Sequence, residues 1–544
     1  MHVLLRLLII SWLIATAVVH AEEAAAPKFD VWELQIDGNT LLSTRDAEQT
    51  VTPFLGAQRT FENIEAARKA LEQRYRDLGY PTVLVDIPEQ EANQGVIRLH
   101  VSESRVVELR VTGARYFSPE KIRAAVPALA ENAVIALAPM QAQLTALNGA
   151  AADRAITPVL RPGRKPGTVE VELKVKDELP AHGSVEFDNR NSAGSSALRA
   201  SAMLRYDNLW QRQHSLSLQV QTSPDKPDEV RVLSGTYVAH FDNTDNLLAV
   251  YAVDSNSSSA AVGDISVLGK GRIGGVRGII PFVTEADFSH NLSLGFDYKD
   301  FKENLHAAGQ DNPLSTPIEY VVFGTQYSAN WHAETSSTRV GLGMNFGVRG
   351  LRDRSVQCEY LTKDGDGNPK VETQALNEFA CKRAGARSNF IVLHGEVEHQ
   401  RLLGYGISLR ALFDTQLTDS PLISNEEYSA GGAESVRGYY ESQVLGDTGE
   451  RLTLELTSPS IAAHISEHVQ DAHALLFYDA AHLRVREPGT EERDRFDIAS
   501  FGVGLRATAW HDWSAELDIA RAFKAAGTID KGDVRVHAKI EYAF

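Results

Sequence analysis

The sequence predicts a membrane all-β barrel of about 16 antiparallel strands, preceded by two small α/β modules. Three observations carry this. Beyond residue 183 or so, helical spacing disappears and every second residue becomes apolar. After the first 21 residues no segment is continuously apolar for the roughly 18 residues that a membrane helix needs. The final strand alternates up to the last residue, with one face suited to lipid and the other to water.

The first 21 residues stand apart. Arg6 precedes a run of Leu, Ile, Val and Ala that ends in Val19-His20-Ala21, followed by Glu22-Glu23. This pattern predicts a secretory signal peptide over 1–21, with a small-residue cleavage site and no cysteine for lipidation. An exported chain of 544 residues has room for several domains. Its net charge of −18 and pI of 5.4 exclude the basic footprint of a nucleic-acid binder. A mean hydropathy of −0.23 resembles that of an ordinary soluble protein. A barrel is concealed in such averages, because only alternate strand residues meet lipid. The 2 cysteines, Cys358 and Cys381, share one predicted extracellular loop and sit in an oxidising compartment, where a structural disulfide is expected.

Residues 29–103 read as the first α/β module. A strand runs from Phe29 to the turn Asp37-Gly38-Asn39. Ile64, Ala67, Leu71, Tyr75 and Leu78 then recur at helical spacing and Gly79 stops the helix. Strand-like runs follow at Thr82–Ile87 and Gly95–Val101. Residues 104–178 repeat the theme: a strand at Val106–Val111, a helix after Ser118-Pro119, another over Met140–Ala152, and closing strands near Val159 and at Val169–Val175.

The barrel is expected over 183–544. Leu216, Leu218 and Val220 alternate with Ser217, Gln219 and Gln221. Leu452, Leu454 and Leu456 alternate with Thr453, Glu455 and Thr457, and Trp513, Ala515, Leu517 and Ile519 with Ser514, Glu516 and Asp518. Strands are expected near 183–190, 197–208, 213–223, 229–241, 246–256, 265–280, 290–300, 317–331, 337–350, 387–402, 405–416, 451–460, 471–480, 496–508, 513–523 and 532–544. An even count from a periplasmic start puts the long insertions 301–316, 351–386, 417–450 and 481–495 on the extracellular side. Lipid tolerates no free sheet edge, so the last strand must pair with the first.

Within 417–450 stands Gly431-Gly432-Ala433-Glu434-Ser435-Val436-Arg437-Gly438-Tyr439, and Phe477-Tyr478-Asp479 follows in the strand after next. A loop folded into a pore has few contacts to hold it, and a guanidinium offers a carboxylate five donors in fork geometry. Inside a narrow lumen such a pair is screened less than on a surface.

These residues resemble the barrel superfamily that includes BamA and the two-partner-secretion outer-membrane transporters (TpsB, haemolysin secretion/activation proteins). Val436-Arg437-Gly438-Tyr439, in the third-from-last extracellular loop, is similar to that superfamily's lumenal-loop motif, and Phe477 and Asp479 to its barrel-wall partner. Asp188-Asn189 and Asp207-Asn208 resemble the paired Asp-Asn strand ends of TpsB barrels. A C-terminal Phe544 with Tyr542 two residues before it resembles the superfamily's assembly signal. The tandem modules resemble two polypeptide-transport-associated (POTRA) domains. The resemblance implies an outer-membrane protein that exports an unfolded secreted partner captured by periplasmic POTRA domains. It also implies outer-membrane lipid around the barrel and the barrel-assembly machinery as a partner in biogenesis. Capture at a sheet edge and a helix–strand groove is expected on the strands 95–101 and 169–175 with their neighbouring helices, where backbone hydrogen bonds demand little of the cargo's sequence. The stretch between Ala21 and Phe29 is too short for the plug helix of many TpsB proteins. Either loop 417–450 alone obstructs the pore or the resting channel is leakier.

Other chemistry fails on inspection. Gly269-Lys270-Gly271 lacks the rest of a phosphate loop. Asp364, Asp366 and Asn368 open like a calcium loop, but Pro369 and Ala375 occupy required positions. The 17 His show no metal spacing, and no nucleophile elbow is visible, so neither cofactor nor enzymatic activity is expected. An insertase of other barrels and a passive porin are the alternatives to export.

Overall fold

The computed structural model describes residues 27–544, except 92, 242–243, 258, 263–264, 283–284, 286, 303, 306–313, 316, 353, 364–368 and 490–492. The signal peptide 1–21 and the calcium-like Asp364, Asp366 and Asn368 lie outside the described residues. The chain divides into two compact units, one ending at Leu179 and one beginning at Pro180.

The first unit holds two three-stranded sheets of one design. In the first, β1 (Glu33–Asp37) runs parallel to β3 (Val96–Glu103), and β2 (Val83–Asp86) runs antiparallel to it. Helix α1 (Thr44–Val51) starts where the Asp46 amide donates to the Ser43 hydroxyl. Helix α2 (Phe61–Asp77) starts where Thr60 N–H donates to Asn63 Oδ1 at 3.0 Å. Its buried stripe of Ile64, Ala67, Leu71 and Tyr75 closes the core over Val85 and Leu99. Leu78, at the end of that spacing, is exposed, because the helix has already stopped.

In the second sheet β4 (Arg105–Thr112) is parallel to β6 (Thr168–Asp177), which is antiparallel to β5 (Arg154–Pro162). Helices α3 (Pro119–Ala124) and α4 (Leu137–Gly149) cover it. The Asp177 carboxylate accepts the amides of Arg115, Tyr116 and Phe117 at 2.8 to 3.0 Å, which ties the entry to α3 to the end of β6. Asp177→Ala should lower this unit's stability by about 2 kcal/mol, since charge-assisted bonds to backbone amides are among the stronger ones. Protease resistance in the full-length protein reads this out, and unchanged resistance would contradict it.

One expectation is corrected here. Strands 95–101 and 169–175, read as docking edges, fall in β3 and β6, the central strands of their sheets. Both of their sides are already paired, because the first strand of each module crosses over and adds in parallel. The β5 edge is also blunted. Asn148 occupies both backbone groups of Ile156, and Pro158 and Pro162, two and six residues on, have no N–H to offer. On β2 the Val85 carbonyl accepts Arg68 Nη1 at 3.1 Å. The outer edge of β1 and the C-terminal half of β4 are left.

The second unit is one closed barrel of sixteen antiparallel strands. They are β7 (Ala181–Asp188), β8 (Arg199–Leu209), β9 (His214–Thr222), β10 (Arg231–His240), β11 (Leu247–Ser255), β12 (Gly271–Pro281), β13 (Phe288–Phe301), β14 (Ile318–Ala333), β15 (Ser336–Gly347), β16 (Ile391–Leu402), β17 (Ser408–Thr418), β18 (Thr448–Thr457), β19 (Val469–Arg484), β20 (Arg495–Ala509), β21 (Trp513–Ala522) and β22 (Val534–Ala543). Every expected strand has its counterpart, and β22 pairs with β7 to close the ring. The strand expected at 265–280 begins only at Gly271. Residues 265–268 instead pair with 259–262 in a separate hairpin, and Gly269 with φ +112° makes the break.

The alternation has its predicted consequence. Leu216, Leu218, Val220, Leu454, Leu517 and Ile540 are exposed on the outer face, the apolar side expected of a membrane barrel. Trp210, Trp331, Trp510 and Trp513 gather at the rim of short turns, the position that suits an indole at a membrane interface. The long connections follow β11, β13, β15 and β17 on the opposite rim.

Candidate functional site

The connection between β17 and β18 turns into the barrel instead of standing outside it. Tyr428–Ala430 pairs with Val444–Gly446 as a short hairpin. At its tip, Gly432 (φ +115°) and Gly438 (φ +92°) take backbone conformations that disfavour side chains. A Cβ on Gly438 would press on Ala520 Cβ at 3.2 Å, so the loop lies directly against the wall. Val436 and Tyr439 are fully buried against Ala481, Leu483, Ile498 and Ala522. The small wall residues make room for them. The Tyr439 hydroxyl lies 2.8 Å from the Lys524 carbonyl.

Arg437 is the centre of the site. Its Nε donates to Asp479 Oδ2 at 2.7 Å and its Nη2 to Asp479 Oδ1 at 2.9 Å. Its backbone amide reaches the same carboxylate at 3.2 Å. Nη1 donates to Glu455 at 2.7 Å, and Asp518 lies 3.7 Å away. The guanidinium carbon stands 3.5 Å over the Phe477 ring. Asp479 is 0% exposed and Arg437 4%, so both charges have traded water for each other. Glu455 also takes Arg410 at 3.0 Å, and Asp518 takes Arg506 through both oxygens at 2.7 Å. Three guanidiniums thus face these three carboxylates, and Arg410 and Arg506 carry the ion pairs on to Glu398 at 2.9 Å and Glu516 at 3.3 Å.

Glu455 and Asp518 did not figure among the candidate residues. Each stands at a polar position of an alternating strand, which marks it as lumen-facing, but pairing with Arg437 requires the barrel's closure. His537 is a further contact: its Nε2 accepts the Gly438 amide at 3.0 Å.

The two Asp-Asn pairs are not brought together. Asp188-Asn189 ends β7 on the loop side, and Asp207-Asn208 ends β8 on the turn side. Asn189 acts as an extra rung of the seam. Its Oδ1 accepts Ala538 N–H at 2.9 Å and its Nδ2 donates to the Val536 carbonyl at 2.8 Å. Asp188 accepts the Arg190 amide at 2.6 Å. Asn208 instead holds the tight turn beyond it through Gln211 and Gln213. At the other end of the seam, Phe544 exchanges two backbone bonds of 2.9 Å with Gly183, and Tyr542 lies 5.1 Å from the Trp513 ring. Cys358 and Cys381 form a disulfide within the β15–β16 connection, with Cα atoms 5.6 Å apart.

Two family models match the chain. A POTRA domain of the ShlB type covers residues 29–104, and the haemolysin secretion/activation protein family ShlB/FhaC/HecB covers 365–507. The second span contains the inward loop and Asp479. Over these residues the chain resembles POTRA–barrel proteins of the TpsB type. That type places its barrel in the outer membrane and its POTRA modules in the periplasm. The outer membrane transporter CdiB of Dickeya dadantii is 26% identical over 184 residues, 34% of this chain. That stretch spans only 32% of the relative's length. The heme/hemopexin transporter protein HuxB of Haemophilus influenzae is 19% identical over 79% of this chain and 72% of its own. Among solved structures, CdiB from Escherichia coli shares the fold with a TM-score of 0.58 at 18% identity, covering 98% of this chain and 93% of that one. BamA from Haemophilus ducreyi, lacking its first three POTRA domains, scores 0.55 at 14% identity over 95% and 100%.

Proposed function

We propose that the chain exports a secreted partner protein across the outer membrane. The observation that carries this reading is how the inward loop is held. Its tip is fixed by the buried Arg437–Asp479 pair and the ion pairs around it on a polar wall, contacts that a passing chain can replace one by one. The names of the matched family and relatives, secretion protein and transporter, support it.

In this reading residues 29–103 and 104–178 are POTRA domains 1 and 2. They take up the unfolded partner along the outer edges of β1 and β4, gaining main-chain hydrogen bonds. The partner then threads the lumen after Arg437 leaves Asp479, and its folding outside draws it onward. Val436, Gly438 and Tyr439 seat the loop, and Phe477 supports the guanidinium. Asp188 and Asn189 finish the seam, Asp207 and Asn208 shape the turn, and Tyr542 with Phe544 serve the assembly machinery. Outer-membrane lipid covers the barrel, and no step calls for a cofactor or a catalytic group.

A second reading, insertion of other barrels through an opened seam, draws on one observation: β22 and β7 share only five partner pairs, against eight in β7–β8. Cysteines at Val185 and Tyr542, which face each other across the seam, would lock it when oxidised. With the partner co-expressed, secretion of the partner into the medium is expected to continue in the locked protein. Loss of secretion that returns on reduction would move the route from the lumen to the seam.

A further inference from the structure

The β15–β16 connection, like the inward loop, reaches into the barrel. Beyond its hairpin (Ser355–Lys363 with Pro369–Asn377) comes a single helical turn, Glu378–Lys382, stapled to the hairpin by Cys358–Cys381. Phe379, Ala386 and Phe390 then pack inward against Leu422 and Ile423 of the inward loop and against wall residues such as Ile318 and Val322. An apolar stopper therefore sits on the β10–β16 wall, separate from the ion-pair site on β18–β21.

Arg383 fastens this stopper to the loop. Both of its Nη atoms reach Asp447, Nη1 to Oδ1 and Nη2 to Oδ2, each at 2.8 Å. It also donates to the Leu422 carbonyl at 2.7 Å, to Glu427 at 2.5 Å and to the Arg486 carbonyl at 3.0 Å. Leu422 and Glu427 lie where the chain leaves β17, and Asp447 is the last residue before β18. One guanidinium thus joins the inbound and outbound legs of the same loop at its neck. Asp447 is fully buried and also accepts the amides of Leu422 and Arg486, both at 2.6 Å. Gln416 adds a bridge from β17 to the carbonyls of Glu426 and Asp447.

We infer that Arg383 is a positioning residue for the inward loop, and that its disulfide-stapled segment is a second stopper of the resting pore. Arg383 thus fastens the loop at its neck, apart from Arg437 at its tip. A five-donor fork suits this role because no other side chain meets a carboxylate, a second acid and two carbonyls at once. The inference rests on the reading that the inward loop obstructs the channel.

The test uses the full-length protein. Arg383→Ala should raise resting conductance in planar bilayers several-fold and speed amide exchange in residues 419–447, with exchange in the flanking strands unchanged. Arg383→Lys should recover part of both, and Cys358→Ser with Cys381→Ser should produce a weaker form of the same change. If Arg383→Ala assembles poorly, Glu427→Gln reports on the same neck. Arg437→Ala is the reference. Opening by Arg437→Ala with no change in exchange or conductance for the neck variants overturns the inference and leaves the loop's role standing. No conductance change in either set removes both.

Discussion

Arg437→Ala is expected to abolish secretion of the partner while leaving barrel assembly intact. The substitution strands Asp479, which is wholly buried, and removes one of the two guanidiniums that neutralise Glu455. Removing one member of a buried pair costs on the order of 3–5 kcal/mol, because the remaining charge has no water to return to. That cost falls on the loop's seating. The ladders that β18 and β19 make with their neighbours do not involve the Arg437 side chain, so the barrel should still fold. Arg437→Lys should fail nearly as badly. An ammonium cannot span both Asp479 oxygens and reach Glu455, nor stack flat on Phe477. Adding Asp479→Asn to the alanine variant should cost much less than the sum of the two, as expected for groups that act as a unit. Partner protein in the medium, measured against heat-modifiable barrel in the outer membrane, separates the two effects. Wild-type secretion by Arg437→Ala would remove the loop's proposed role.

The sequence made the barrel legible because its signal is local. A strand facing lipid on one side and water on the other must alternate, and Leu216-Ser217-Leu218 or Leu452-Thr453-Leu454 records that without reference to the rest of the chain. Counting such runs gave the number of strands, and an even number fixed the side on which the long loops emerge. Arg437 was legible for another reason, a short motif with its partner at a readable distance downstream. What could not be read depends on neighbours far apart in sequence. β3 and β6 look like any outward strand until a parallel crossover from the module's start places another strand beside them. Arg383 looks like a solvated loop charge until the two legs of the inward loop and the connection after β19 bring the Asp447 carboxylate and the Leu422 and Arg486 carbonyls to it. The Asp-Asn pairs show the same limit. Their composition is alike, but the β7–β8 hairpin sends one to each rim.

Deleting Phe544 is expected to reduce the folded barrel sharply, whatever it does to the pore. The β22–β7 ladder is short, and Phe544 lengthens it by two backbone bonds to Gly183. Without them, a Gly183 N–H and C=O lie open beside a face bearing Val185 and Phe187. Backbone groups left unpaired in hydrocarbon cost several kcal/mol each, by a rough reckoning, and closing the ring is what avoids that cost. The ring of Phe544 adds packing of its own, over Gly183 and 6.0 Å from Tyr542. Two further variants separate these contributions. Phe544→Ala keeps both bonds and should assemble better than the deletion. Gly183→Leu keeps the C-terminus but drives a side chain into the ring, since even a Cβ there would lie 2.5 Å from Phe544 Cζ. It should fall between wild type and the deletion. Asn189 extends the ladder at its other end, so Asn189→Ala combined with the deletion should leave the least folded barrel of all. Heat-modifiable mobility of the outer-membrane fraction measures each step. If the deletion folds to wild-type levels, the seam does not depend on its last rung, and the closure of this barrel must be driven from the lumen side, where Lys539 meets Glu516 at 2.7 Å and Glu186 at 3.9 Å across the β21, β22 and β7 strands.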